Sequence, residues 1–253
     1  MMSPEKIDFK AELNAEQLAA VEAPDGPVLV IAAAGTGKTR TLVYRVAWLA
    51  EQGVRGENML LLTFTNRAAN EMLDRARRLA GPAVGGMLGG TFHHLCNRML
   101  RRHADRLGFR ADYTILDSDD SKSLAKGVIH ELGLTDRQFP KPDVILSLHS
   151  FAQNTEGDIE KMVADRYRNH PVDTDDILKV IDGYVSRKQE LQAMDFDDLL
   201  VNGVRLLAEF PDIAEHYQAR FRYIMVDEYQ DTNVVQARLV DLLAAQHNNL
   251  LVV

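Results

Sequence analysis

The sequence predicts an α/β fold: a parallel sheet with helices on both faces, plus an inserted, mainly helical subdomain. Three observations predict it. Short, wholly apolar runs alternate with helical segments at both ends of the chain, the pattern of strands buried on both faces. A glycine turn joins the first such run to the first long helix. Between residues 111 and 190 no continuous β run appears, and helical periodicity takes over.

The elements follow in order. Asn14 is placed to cap a helix running through Gln17 to about Val21. Pro24-Asp25-Gly26-Pro27 is a turn. VLVIAAA at 28–34 reads as a buried strand, and a helix is predicted over 38–51. MLLLTFT at 59–65 reads as a second buried strand, followed by a helix over 67–79. Residues 81–90 read as a glycine-rich connection that leads through Thr91 and Phe92 into an arginine-rich helix. Pro140, Pro142 and Pro171 break the helical stretch 111–190. After Met194 a helix over 198–209, a third buried strand over 223–226, a helix over 234–245 and the start of a fourth strand at 250–253 complete the pattern. The domain division expected is 1–110 with 191–253 for the sheet, and 111–190 for the insert.

Composition narrows the function. The 253 residues are 46% hydrophobic and 26% charged, which places the chain with globular proteins. The single cysteine, Cys96, excludes an internal disulfide framework and suits a reducing compartment. No apolar run approaches the length that spans a bilayer, and the first residues lack the apolar core of a signal peptide. The expectation is a soluble, cytoplasmic protein with no membrane partner. The net charge of −8 hides an asymmetry. Residues 1–110 hold 15 Lys+Arg against 11 Asp+Glu, 111–190 hold 10 against 16, and 191–253 hold 4 against 10. A basic face on an acidic body is compatible with contact with a phosphate backbone, although charge alone favours solvated helix faces.

Two motifs carry chemistry. Ala33-Ala34-Gly35-Thr36-Gly37-Lys38-Thr39 lies at a strand-to-helix junction. Glycines let successive backbone N–H groups curl around phosphates, and the following helix adds the positive end of its dipole. Lys38 suits the β- and γ-phosphates, and the Thr39 hydroxyl suits Mg²⁺. Ala32 stands where the strict pattern has its first glycine. The second motif is Asp227-Glu228-Tyr229-Gln230-Asp231-Thr232, an acidic pair at the carboxyl end of a buried strand, where such sheets bind ligands. Asp227 suits a Mg²⁺ ligand, and Glu228 a general base for an attacking water.

Together these residues resemble the superfamily 1 DNA helicases of the UvrD/Rep/PcrA type, in order and over nearly the whole chain. Leu13-Asn14-Ala15-Glu16-Gln17 is similar to that family's Q motif, and Leu62-Thr63-Phe64-Thr65-Asn66-Arg67-Ala68-Ala69-Asn70-Glu71-Met72 to motif Ia. Gly90-Thr91-Phe92-His93-His94-Leu95 is similar to motif Ib, and Met194-Asp195-Phe196-Asp197-Asp198-Leu199-Leu200 also belongs to the pattern. The resemblance implies a RecA-like domain (1A) with the helical insert as subdomain 1B, ATP and Mg²⁺ as cofactors, and single-stranded DNA and duplex junctions as partners. It implies that Gln17 reads adenine, that Arg40 packs against the base, and that the parent moves 3′ to 5′. Thr63, Phe64, Thr65, Asn66, Thr91, Phe92 and His93 are the candidate DNA contacts. By position alone Phe64 also suits the core, the polar groups suit strand-end and helix-cap bonding, and Asp195 and Asp198 suit a helix N-cap. The spacing of His93, His94 and Cys96 is not that of a zinc site.

Rival readings share part of this pattern. A small P-loop kinase or a GTPase shares the Lys38 loop, yet explains neither Gln17 nor the distant acidic pair. A non-catalytic, ATP-regulated DNA-binding module is disfavoured by intact Lys38, Thr39, Asp227 and Glu228. The motor part of a helicase–nuclease shares every motif. The family's motif III and the arginines of its second motor domain do not occur in these residues, so the expectation is the front portion of a motor, nearly inactive alone.

Overall fold

The computed structural model describes residues 7–33 and 35–253. In chain order the helices and strands are α1 (Phe9–Glu12), α2 (Ala15–Val21), β1 (Val28–Leu29), α3 (Lys38–Glu51), β2 (Met59–Thr63), α4 (Asn66–Ala80), β3 (Leu88–Thr91), α5 (Phe92–His103), β4 (Thr114–Ile115), α6 (Ser118–Glu131), α7 (Pro142–Thr155), α8 (Ile159–Tyr167), α9 (Thr174–Glu190), β5 (Ala193–Met194), α10 (Phe196–Glu209), α11 (Pro211–Arg220), β6 (Tyr223–Val226), α12 (Val234–Ala244) and β7 (Leu250–Val252). They fall into two compact units. The first holds the residues up to Leu95 with Leu207–Thr232 and Arg238–Val253; the second holds Cys96–Leu206 with Asn233–Ala237. These limits lie outside the 111–190 segment that the change of texture set apart.

The first unit is built on a sheet of order β1-β7-β6-β2-β3, every neighbouring pair parallel. Parallel pairing aligns all the carboxyl ends on one edge. β2 is buried along its whole length, because alternate residues face opposite sides and both sides are covered. Met59 and Leu61 join Leu42, Val46 and Leu49 of α3, Met72 of α4, and Met225 and Leu251 in one apolar cluster. Leu60 and Leu62, facing the other way with Ile224 and Val226, are equally buried. Each fully buried aliphatic side chain contributes about 1.5–3 kcal/mol, so this cluster fixes the sheet against α3 and α4.

Two strand expectations are corrected. The run 28–34 is not a buried strand: only Val28–Leu29 pair as strand, with Leu29 67% and Ile31 90% exposed. β1 hydrogen-bonds to β7 alone, so it is a sheet edge, and an apolar run reads alike at an edge and at a centre. The glycine-rich stretch 81–90 is not merely a connection, since β3 pairs with β2 from Leu60↔Leu88 to Thr63↔Thr91. Its glycines let α4 lie close: a Cβ on Gly89 would sit 2.8 Å from Leu73 Cγ. α11, opened by Pro211 in its first turn, was not anticipated.

The second unit is mainly helical. Val128, Ile145, Leu148, Val163, Tyr167, Ile177 and Val180 of α6 to α9 form its core. Pro142 opens α7, while Asp117, Asp158 and Asp173 cap α6, α8 and α9 through their side chains. β4 and β5 make one short parallel pair. Among the described residues no helix is long and apolar enough to cross a membrane.

Candidate functional site

The residues singled out by both motifs lie in the first unit, past the carboxyl ends of its parallel strands. The loop after β1 turns on glycine: Gly35 has φ 80° and Gly37 φ 93°, values that L side chains rarely adopt. Thr36 N and Oγ1 both donate to Ala33 O, at 3.3 and 2.7 Å, which tightens the loop. Ala34 lies outside the described residues. Gly37 ends the loop and Lys38 and Thr39 begin α3, so the first free N–H groups of that helix open toward the loop.

Gln17 is held in two directions. Its Oε1 accepts from Asn14 N at 3.3 Å while Asn14 Oδ1 accepts from Gln17 N at 2.8 Å, a capping box that starts α2. Its Nε2 donates to Thr36 O at 3.0 Å, which ties α2 to the glycine loop. A Cβ on Gly37 would come within 2.7 Å of that same Nε2. Arg40 lies on the neighbouring turn of α3. Its guanidinium donates to Glu12 O and Glu12 Oε2, both at 2.7 Å, and sits 5.1 Å from the Tyr44 ring centroid.

The acidic pair follows β6. Asp227 N donates to Leu62 O at 2.9 Å, continuing the β2–β6 ladder and drawing the Asp227 side chain inside. Asp227 is 5% exposed, and its Oδ1 is buried without a hydrogen-bond partner among the described residues. Burial, and then the negative charge of Glu228, pushes its carboxyl above the ordinary range. A buried carboxylate with an orphaned oxygen suits a hard divalent cation, and Thr39 offers a hydroxyl of the same class. Glu228 adopts left-handed backbone (φ 54°, ψ 43°), a conformation that costs a non-glycine residue about 1–3 kcal/mol and clusters at functional positions. Its Oε2 accepts from Lys38 Nζ at 2.8 Å, a contact between residues 190 apart in sequence. The hydrogen bond to Glu228 raises the Lys38 ammonium above its usual value, and Lys38, with Gln230 next, lowers the Glu228 carboxyl. Both partners are therefore held charged.

The candidate nucleic-acid residues gather after β2 and β3. Thr65 is exposed and caps α4, accepting from Ala68 N at 3.1 Å; Asn66, also exposed, begins that helix. Thr91 Oγ1 accepts from His94 N at 3.1 Å and caps α5, and His93 is half-buried beside it. Phe64 is half-buried, with its ring 5.8 Å from that of Phe92. Phe92 is 1% exposed and Thr63 2%, so these two side chains are packed beneath the surface rather than presented on it. Cys96 is fully buried, and burial pushes its thiol up to about 12, which leaves it inert.

The second unit holds the other acids of the pattern. Asp195 N donates to Asp198 Oδ2 at 3.0 Å and Asp198 N to Asp195 Oδ1 at 2.9 Å, so the pair caps α10. Both carboxylates also accept from Lys188 Nζ, at 2.5 and 2.6 Å. Three side chains that touch the expected site residues were not anticipated: Gln230 on Glu228, and Glu12 and Tyr44 on Arg40. Gln230 stands within the acidic motif itself; Glu12 and Tyr44 carry no local pattern that marks them.

Known proteins are similar to this chain over nearly its whole length. The model of the UvrD/REP helicase N-terminal domain family matches residues 13–253. A protein named ATP-dependent DNA helicase PcrA from Staphylococcus aureus is 41% identical over 245 residues, covering 95% of this chain and 33% of its own length. The protein of that name from Bacillus subtilis is 42% identical over 244 residues, covering 95% and 32%. The chain thus spans about a third of the length of the curated relatives it matches. On the family match, the order of the motifs and the parallel sheet that carries them, the chain belongs to the UvrD/REP helicase N-terminal domain family.

Proposed function

We propose that this chain is the ATP-binding front part of a DNA helicase motor, with 1–110 and 191–253 as its RecA-like domain (1A) and 111–190 as subdomain 1B. The observation that carries the reading is the meeting of Lys38 at the start of α3 with Glu228 just after β6, 2.8 Å apart, beside the orphaned oxygen of Asp227. The loop amides of 33–39 and the Lys38 ammonium take the phosphates of ATP; Thr39 and Asp227 hold Mg²⁺. Bound there, Mg²⁺ supplies positive charge to the β- and γ-phosphate oxygens. Gln17, already at the loop, reads the adenine edge, and Arg40 flanks the base. Glu228 takes a proton from water as the water oxygen bonds to the γ-phosphorus and the bond to the ADP oxygen breaks.

Single-stranded DNA lies across the ends of β2 and β3, where Phe64 stacks on a base. Thr65, Asn66, Thr91 and His93 contact sugar and phosphate. Thr63 and Phe92 support them from beneath. The parent protein works in the cytoplasm, moves 3′ to 5′ and opens duplex junctions. These 253 residues contain no counterpart of the arginine that a second motor domain contributes, a group worth about 10³–10⁵ in rate. Alone, then, they bind nucleotide weakly and turn it over very slowly.

Titration of labelled ATP and a labelled oligonucleotide tests the assignment. ATP binding should need Mg²⁺ and be competed by ADP but not by GTP. Phe64→Ala should weaken oligonucleotide binding by about 1–3 kcal/mol, roughly five- to 150-fold, and leave ATP binding alone. Equal competition by GTP, or oligonucleotide binding indifferent to Phe64, would contradict it.

A further inference from the structure

We infer that Gln230 is a positioning residue for hydrolysis: its side-chain amide holds Oε2 of Glu228 while Lys38 moves from that oxygen to the nucleotide. The inference rests on the functional reading above, and goes further by giving the base a holder of its own.

The geometry begins with the backbone. Glu228 in its left-handed conformation starts a 3₁₀ turn, Tyr229–Asp231. Tyr229 N donates to Val253 O at 2.8 Å, which anchors the turn to the last residue beside β7. Asp231 N donates to Glu228 O at 2.9 Å, and Thr232 Oγ1 to Tyr229 O at 2.7 Å. A turn pinned at three points folds Gln230 back over Glu228, and Gln230 Nε2 donates to Glu228 Oε2. Lys38 Nζ donates to the same Oε2. One carboxylate oxygen therefore has two donors of different character, one a mobile cation and one a neutral amide two residues away.

The two donors have different fates when ATP arrives. The Lys38 ammonium is drawn to the phosphates, whose charge exceeds that of one carboxylate. Gln230 has no charge to satisfy there, and its turn is fixed to β7, so its bond to Oε2 persists. Without it, Glu228 would be a half-exposed side chain with every torsion free at the moment its partner leaves. With it, one carboxylate oxygen is fixed and the other is aimed to take the proton from water. The left-handed backbone at Glu228 is then part of the device, because it starts the turn that returns Gln230.

The test is Gln230→Met, which keeps length and removes the donor, in the full-length gene product with single-stranded DNA. Steady-state hydrolysis and Mg-ATP binding are measured side by side, with Lys38→Ala as companion. Gln230 is exposed, so the substitution leaves the fold intact, and unchanged Mg-ATP affinity verifies that. The expected result is a kcat lower by about tenfold or more, with KM and Kd for ATP within about twofold of wild type. An unchanged kcat overturns the inference. A raised KM with kcat intact overturns it too, and makes Gln230 a nucleotide contact. If Lys38→Ala binds ATP like wild type, the functional reading itself fails; if Lys38→Ala abolishes binding while Gln230→Met hydrolyses normally, only the role of Gln230 does.

Discussion

Replacing Lys188 by methionine removes the ammonium that two half-buried carboxylates share, at nearly constant side-chain length. Lys188 is 2% exposed, with Nζ 2.5 Å from Asp195 Oδ2 and 2.6 Å from Asp198 Oδ2. The Tyr184 hydroxyl donates to Asp195 Oδ2 at 2.8 Å. Without Lys188 the cluster holds two negative charges in a poorly solvated place, and one carboxyl must take up a proton. Keeping a carboxyl protonated at pH 7, against an ordinary pKa near 4, costs about 3 × 1.4 ≈ 4 kcal/mol. That falls in the range of about 3–5 kcal/mol for breaking a buried pair from one side. The sign with pH follows from the raised folded-state pKa of that carboxyl in the variant. The loss is complete above the raised value and fades as pH falls toward the unfolded value, leaving about 2 kcal/mol at pH near 5.5. Urea midpoints of both proteins at the two pH values, converted with a common slope, measure it. A loss below about 1 kcal/mol at pH 7, or one indifferent to pH, would mean that water already solvates these carboxylates.

Further outcomes follow from the same geometry. Burial, and then the nearby Lys188 charge, lowers the His149 imidazole below 6.5, and its Nε2 is buried without a hydrogen-bond partner among the described residues. The unfolded chain therefore takes up this proton first, so stability falls as pH drops below 6.5 toward the folded value. His149→Gln should flatten that limb of the stability–pH curve, and an unaltered slope would remove His149 from the account. Gly37→Ala places a Cβ 2.7 Å from Gln17 Nε2 at φ 93°. It should cost about 1–2 kcal/mol in loop strain and weaken Mg-ATP binding at least tenfold, with far-ultraviolet circular dichroism unchanged; wild-type affinity would show that the loop does not cradle the phosphates.

Helices with local caps were legible in the sequence, as with Asn14 ahead of α2; Pro142, read only as a break, in fact opens α7, and α11 went unread although Pro211 opens it. The strands were less so. β1 and β2 present the same apolar texture, but one is an edge and the other is central, and only the partners of a strand decide that. β3 was hidden because close packing of Leu73 demands glycine where strand propensity expects branched side chains. At the site, residue types and spacing marked Lys38, Asp227 and Glu228. The contacts of Arg40 with Glu12, 28 residues away, and of Gln230 with Glu228 depend on backbone turns that no pattern of residue types encodes.

On the proposed function, Lys38 and the glycine loop bind the phosphates of ATP while Gln17 reads its base. Calorimetric titration of Mg-ATP and Mg-GTP into wild type and Lys38→Ala, with and without single-stranded DNA, tests it most directly. Weak, adenine-specific binding that Lys38→Ala abolishes is the expected result. Preference for GTP, or binding that survives the loss of Lys38, would contradict it.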